Sequence, residues 1–102
     1  MIALKRKSTA FDFSAEITIP AGQTEFVEIP KVSINKKGVI DIGWQCDDDI
    51  TLYGTLSEDF ESAETMWQEM VDGQEANRTI RYIKLINTAE TDKKAYIRVI
   101  LC

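Results

Sequence analysis

Carboxylates and two cysteines are the side chains of this sequence best suited to chemistry. The 102 residues include 17 Asp and Glu, 12 Lys and Arg, two Cys and no His, which gives a formal net charge of −5. Without histidine the chain has no Ser-His or Cys-His nucleophile pair, no His-ligated metal site and no general base of the usual kind. Paired carboxylates that hydrolyse glycosides need a deep cleft, and a chain of this length has little material for one. We therefore predict that the protein is not an enzyme.

Three consecutive aspartates, Asp47, Asp48 and Asp49, are the clearest candidate metal ligands. Neighbouring side chains of an extended segment point to opposite faces, so the three carboxylates do not converge on one ion, and their spacing differs from that of a calcium-binding loop. We predict a solvated hairpin turn here, with no metal and no cofactor. Cys46 lies within an apolar alternation and Cys102 is the last residue, and both are expected to be free thiols in a reducing compartment.

The elements that must position these side chains are predicted to be β-strands. Isoleucine outnumbers leucine by 13 to 5, and β-branched residues favour sheets over helices. Apolar and polar residues alternate with a period of two along most of the chain, which is typical of half-buried strands. The strands predicted in this way cover residues 11–19, 25–34, 39–46, 50–56, 79–87 and 94–102. We predict an all-β, antiparallel, jelly-roll-like β-sandwich of six or seven strands.

One connecting segment is open to more than one interpretation. Apolar residues of the segment 57–73 fit helical spacing, which indicates one short helix around 58–71. The alternative, which we favour, is an acidic loop followed by a short strand near Trp67, whose ring would then close one end of the core. The polar residues 88–93 suit the turn of a hairpin.

Charge is segregated along the chain. Residues 38–77 contain 11 acidic side chains and no basic one, whereas the flanking segments hold all 12 basic side chains and only 6 acidic ones. If the loops of the middle segment cluster at one end of the sandwich, the molecule has an acidic pole that suits oriented, head-to-tail or lattice contacts. The alternative is that acidic loops only keep a small β domain soluble.

Basic residues near the N-terminus form a second charged feature. Lys5, Arg6 and Lys7 lie in residues 1–10, which we interpret as a basic arm that precedes a single sandwich domain over 11–102. The sequence pI of about 4.7 argues against binding of free nucleic acid, so the arm is expected to dock on an acidic protein surface. No apolar run approaches the roughly 20 residues that span a bilayer, and we predict synthesis in the cytoplasm without a membrane partner.

Outward-facing side chains of the predicted strands and loops complete the candidate contact surface. Trp44 falls on an apolar face and is expected in the core, whereas two tyrosines and an arginine fall on outward faces, where they could serve a protein partner or a sugar. Acidic residues of the 57–73 segment would form the counter-surface for a basic arm. The predicted partner-binding residues are Lys5, Arg6, Lys7, Tyr53, Tyr96, Arg98, Glu58, Asp59 and Glu61.

Four segments carry a resemblance to known proteins, namely DITLYGTL at 49–56, TMWQE at 65–69, IRYIKL at 80–85 and AYIRVIL at 95–101. They resemble the small β-sandwich auxiliary or decoration proteins, and the related fibre domains, of tailed bacteriophage particles. Segments 81–83 and 96–98 are also similar to strands of galactose-binding jelly rolls. No functional residue is carried over from either family.

The phage resemblance implies a virion structural protein that binds the assembled head in many copies and stabilises it. Its implied partners are the major capsid protein or other virion proteins, and the chain itself is a candidate homo-oligomer. Two alternatives stay open, a carbohydrate-binding module that uses outward aromatic rings and a cytoplasmic protein-interaction domain.

Overall fold

The computed structural model describes residues 1–6, 11–30, 39–62 and 64–101. Within these ranges the chain forms ten β-strands and no helix. The strands are β1 (Ile2–Ala3), β2 (Lys5–Arg6), β3 (Asp12–Ile19), β4 (Thr24–Glu28), β5 (Val39–Cys46), β6 (Ile50–Thr55), β7 (Gln68–Met70), β8 (Gln74–Thr79), β9 (Tyr82–Asn87) and β10 (Lys93–Leu101). The predicted all-β class is confirmed.

The strands form two sheets of five that pack together as a sandwich. Sheet I has the order β1-β4-β9-β6-β7, and sheet II has the order β2-β3-β10-β5-β8. All pairings are antiparallel except that of β1 with β4. The eight strands from β3 to β10 have the strand order of a jelly roll, with four in each sheet. The jelly-roll-like sandwich predicted from the alternation is therefore confirmed.

The core lies between the two sheets, because alternate residues of each strand point inward. Along β10, for example, Ala95, Ile97 and Val99 are buried while the residues between them are half-buried or exposed. β-Branched side chains dominate the interior, as the isoleucine excess indicates. The largest fully buried apolar side chains are Ile17, Ile19, Ile29, Ile40, Ile80, Ile83, Leu85, Ile97, Val27 and Val99.

The strand count exceeds the predicted six or seven for a physical reason. β8 is almost entirely polar in sequence and lies at the edge of sheet II, so it has no apolar alternation to mark it. β1, β2 and β7 have only two or three residues each. No helix forms in the described part of 58–71, and β7 is the short strand that the favoured alternative expected near Trp67.

Two turns predicted as hairpins connect different sheets instead. The turn at Asp47, Asp48 and Asp49 joins β5 of sheet II to β6 of sheet I, and the segment after Asn87 joins β9 of sheet I to β10 of sheet II. Polar turn residues predict a chain reversal, but they do not encode which strand becomes the neighbour. Asp49 has a φ of 70°, a conformation that a short polar side chain tolerates.

The described part of the predicted basic arm belongs to both sheets. β1 pairs with β4, β2 pairs with β3, and Leu4 between them is only 8% exposed within the core cluster. The N-terminal segment therefore crosses from one sheet to the other. Lys7, Cys102 and residues 31–34 of the predicted strand 25–34 lie outside the described residues.

A buried amide joins two connections at one end of the sandwich. The Asn87 side chain is in a residue only 1% exposed, and its Nδ2 donates to the carbonyl oxygens of Ile19 and Thr91, both at 2.9 Å. Its Oδ1 accepts a hydrogen bond of 2.8 Å from the amide of Ala89. One side chain thus fixes the end of β3 and the β9–β10 connection.

Candidate interaction surface

The outer face of sheet I carries a row of large side chains from three strands. Strand register places Lys84 of β9 between Phe26 of β4 and Tyr53 of β6. These three residues are half-buried although they point away from the core. The β6–β7 connection, described over residues 56–62 and 64–67, folds over this face and covers part of Phe26 and Lys84.

Two aromatic rings of the β6–β7 connection pack on that row. The Phe60 ring centroid lies 5.0 Å from that of Phe26 and 4.6 Å from that of Tyr82. The Trp67 ring centroid lies 6.0 Å from that of Phe26. All three pairs are tilted, the type of geometry that aromatic quadrupoles favour over a face-to-face sandwich. Trp67 therefore packs on the outer face of sheet I, and the expectation that it closes one end of the core is wrong.

Lys84 is enclosed by aromatic rings. Its Nζ lies 4.5 Å from the centroid of Trp67 and 5.0 Å from that of Tyr53, within the range of cation–π attraction. Burial lowers the pKa of Lys84 below its usual value. The charge of this side chain consequently links Trp67 of the β6–β7 connection to Tyr53 of β6.

Polar contacts hold the connection in one shape. The Thr55 hydroxyl donates to the carbonyl of Met66 at 2.8 Å. The Asp59 amide donates to the Ser57 hydroxyl at 3.1 Å and the Glu61 amide donates to Asp59 Oδ1 at 3.2 Å, as in short Asx- and Ser-type turns. Such local hydrogen bonds order a segment that has no strand pairing of its own.

An ion pair joins the β6–β7 connection to Arg81, which lies between β8 and β9. Arg81 Nε lies 3.4 Å from Glu58 Oε1, without the alignment of a hydrogen bond, and the arginine side chain is only 15% exposed. The Arg81 backbone donates to Thr55 O at 2.7 Å and accepts from Ile29 at 3.0 Å. Arg81 therefore anchors three segments at the end of sheet I.

An open groove of about 830 Å³ lies beside the connection. Its apolar wall includes Leu56, Met66, Trp67 and Ile80. Leu56 is 61% exposed and Met66 is 87% exposed, which leaves large apolar surface in contact with water. Among the described lining residues, Glu64 is the only charged side chain.

Sheet II carries the other predicted contact residues. Arg98 makes a two-pronged contact with Asp12, at 3.1 Å from Nε and 2.7 Å from Nη2, which raises the pKa of Arg98. Tyr96 is half-buried on the same strand, and the exposed Lys5 pairs in register with Ser14 of β3. Arg6 is exposed with its guanidinium 5.6 Å from the ring centroid of Phe13.

The predicted contact residues thus fall into two separate groups. Tyr53 of β6 lies with the acidic connection of sheet I, whereas Tyr96 and Arg98 lie on β10 of sheet II. The acidic residues of the connection are exposed, as expected of a charged surface, and they are Glu58, Asp59 and Glu61. The described part of the basic arm belongs to the second group.

Sequence reasoning missed the groove and the enclosed lysine. Lys84 and Phe26 are far apart in sequence and meet only through strand pairing, which period-two alternation does not specify. Leu56 and Met66 are the residues that carried a signal, since both are large apolar side chains inside an otherwise polar, acidic segment.

Trp44 and Cys46 of β5 are half-buried and pack against the core between the two sheets, as their positions in the apolar alternation predict. Burial, and secondarily the charge of Asp47, raises the pKa of the Cys46 thiol. Asp47 Oδ2 accepts a 2.8 Å hydrogen bond from the Lys94 amide, which gives this carboxylate a structural contact.

The described residues contain neither a metal-binding cluster nor a helix that could cross a membrane. No cluster of three or more His, Cys, Asp or Glu side chains there has the arrangement of a metal site. Over the same ranges, no helix has the length and apolarity to cross a bilayer. No family model matches the sequence, and no curated protein matches it either.

Proposed function

We propose that the protein is a non-enzymatic structural component of a tailed-phage particle, a capsid auxiliary or decoration protein that binds and stabilises the assembled head. Its proposed partner is the major capsid protein or another virion protein, and its proposed location is the virion. Many copies would act together on one particle.

The groove beside the β6–β7 connection carries this proposal. Leu56 and Met66 are exposed there, while the interior of the sandwich is closely packed. An exposed apolar patch with a polar rim is typical of a surface that contacts another protein. Jelly-roll sandwiches also occur in viral capsid domains, so the fold is compatible with a role in a shell.

Carbohydrate binding is the alternative that rests on outward aromatic rings. Sugar rings stack on open aromatic faces, but the Lys84 ammonium lies over the rings of both Tyr53 and Trp67. A pyranose that stacked on the covered faces would have to displace this cation. The enclosed lysine therefore favours a protein partner at this surface.

Purification of the particles tests the proposal directly. Virions from cells that produce the chain are banded on a density gradient, and their proteins are identified and counted by mass spectrometry. We expect the chain to band with the particles in a fixed ratio to the major capsid protein. A chain that is found only in the soluble fraction, at the size of a free domain or a small complex, would contradict the virion role and favour a cytoplasmic interaction domain.

A further inference from the structure

We propose that the groove formed by Leu56, Met66, Trp67 and Ile80 binds a positively charged peptide segment of a partner protein, with an aliphatic side chain seated in the groove. The inference rests on the proposed function only in assigning that segment to a capsid protein. The aliphatic side chain and the positive charge of the peptide are inferred from the apolar wall and the acidic charge of the groove alone.

The wall of the groove is tightly packed at Gly54. A Cβ added there would come 2.9 Å from Met70 Sδ and 3.1 Å from Ile80 Cδ1. Leu56 and Met66 expose large apolar surface at the groove, and an aliphatic side chain of a partner would remove that surface from water.

The charge around the groove selects a cationic occupant. Glu64 lines the groove, and no basic side chain is among its described lining residues. Asp59 and Glu61 of the same connection are also exposed to solvent. Acidic charge that outnumbers the nearby basic charge attracts Lys- or Arg-rich segments and repels nucleic acid and anionic lipid.

The nearest described cations offset only part of this negative charge. Arg81 is paired with Glu58, and the Lys84 ammonium lies near the rings of Tyr53 and Trp67. These two cations are fewer than the four carboxylates of the β6–β7 connection, which are Glu58, Asp59, Glu61 and Glu64. The connection therefore keeps a net negative charge.

Fluorescence anisotropy with labelled synthetic peptides tests the proposal. The probe is a short peptide of alternating lysine and leucine, and two matched peptides replace either every lysine by glutamate or every leucine by serine. We expect saturable binding of the lysine–leucine peptide that is at least about tenfold tighter than that of either matched peptide. Equal binding of the glutamate–leucine peptide would overturn the charge argument, and equal binding of the lysine–serine peptide would overturn the apolar one.

Variants locate the binding to the groove. Met66→Ser and Glu64→Lys each alter an exposed side chain, so both should fold, and each should weaken binding of the lysine–leucine peptide by about tenfold. Val71→Ser and Glu90→Lys are matched controls, because both residues are exposed and neither lines the groove. Binding that is equally affected in the controls, or unaffected in Met66→Ser, would refute the assignment.

Sedimentation with purified particles separates this inference from the proposed function. The double variant combines Met66→Ser with Glu64→Lys. If the wild-type chain pellets with heads and the double variant does not, the groove assignment and the virion role are both supported. If the double variant pellets as well as wild type, the groove assignment fails and the virion role survives. If no form pellets while the peptide still binds in the groove, the virion role fails and the peptide site survives.

Discussion

Replacing Asn87 by leucine should destabilise the sandwich strongly, although it keeps nearly the same volume. The substitution removes two donors and one acceptor, which bind Ile19 O, Thr91 O and the Ala89 amide. Each such hydrogen bond contributes about 1 kcal/mol, and polar groups left buried without a partner add to the loss. We expect the free energy of unfolding to fall by about 3 kcal/mol.

Urea denaturation followed by tryptophan fluorescence measures this loss. For a domain of this size, an m-value of about 1.5 kcal/mol/M converts the loss into a fall of about 2 M in the midpoint. The corresponding fall in Tm is roughly 15 °C. Both midpoints should shift without a large change in m, because the change removes interactions of the native state.

The neighbouring threonine supplies a matched control. The exposed Thr88 hydroxyl donates a single 3.2 Å hydrogen bond to Asp49 O, so Thr88→Val should stay within about 0.5 kcal/mol of the wild-type protein. If Asn87→Leu moves the urea midpoint by less than about 0.5 M, the buried amide does not hold the two connections together and our reasoning is refuted.

Four further results are expected. Gly54→Ala places a methyl group against Met70 Sδ and should lower the free energy of unfolding by about 1–3 kcal/mol. An unchanged urea midpoint would contradict this, because it would show that Met70 can move aside at no cost. Lys84→Met removes two cation–π contacts of roughly 0.5–1 kcal/mol each. It should alter tryptophan fluorescence and speed proteolytic cleavage within residues 56–67. A cleavage rate equal to that of the wild-type protein would show that Lys84 does not hold the β6–β7 connection on sheet I. In a Cys102→Ser background, Cys46 should react more slowly with iodoacetamide in the folded than in the urea-unfolded chain, because burial raises its pKa and the thiolate is the reactive species. The same shift predicts that, relative to Cys46→Ala, stability falls as pH rises above the pKa of the unfolded thiol, because the unfolded chain ionises first; parallel pH profiles would refute it.

The bounds of a strand are easiest to predict from the sequence where burial of one face makes apolar and polar residues alternate strictly. Strand β3 was predicted over 11–19 and is found at Asp12–Ile19, and β5 was predicted with the bounds that it has. These strands have one buried face, so each inward position must be apolar. β8 lacks this constraint because it is a polar edge strand, and no alternation could reveal it.

The candidate surface was predictable only in its local part. The exposure of Glu58, Asp59 and Glu61 follows from their charge, and the outward direction of Tyr53 follows from alternation. The contact of Lys84 with Trp67 depends on which strands become neighbours and on how the β6–β7 connection folds back. Such non-local geometry is decided by the packing of the whole sandwich, and a single sequence does not display it.

The position of β10 in sheet II has a consequence for folding during translation. This strand, Lys93–Leu101, lies between β3 and β5 but is synthesised after every other strand of the described sandwich. Until this strand emerges, β3 and β5 have no common neighbour, and the backbone edges that they present to it are unpaired. Native structure must therefore form after translation of nearly the entire sandwich, in a late, concerted step that depends on contacts between distant parts of the chain.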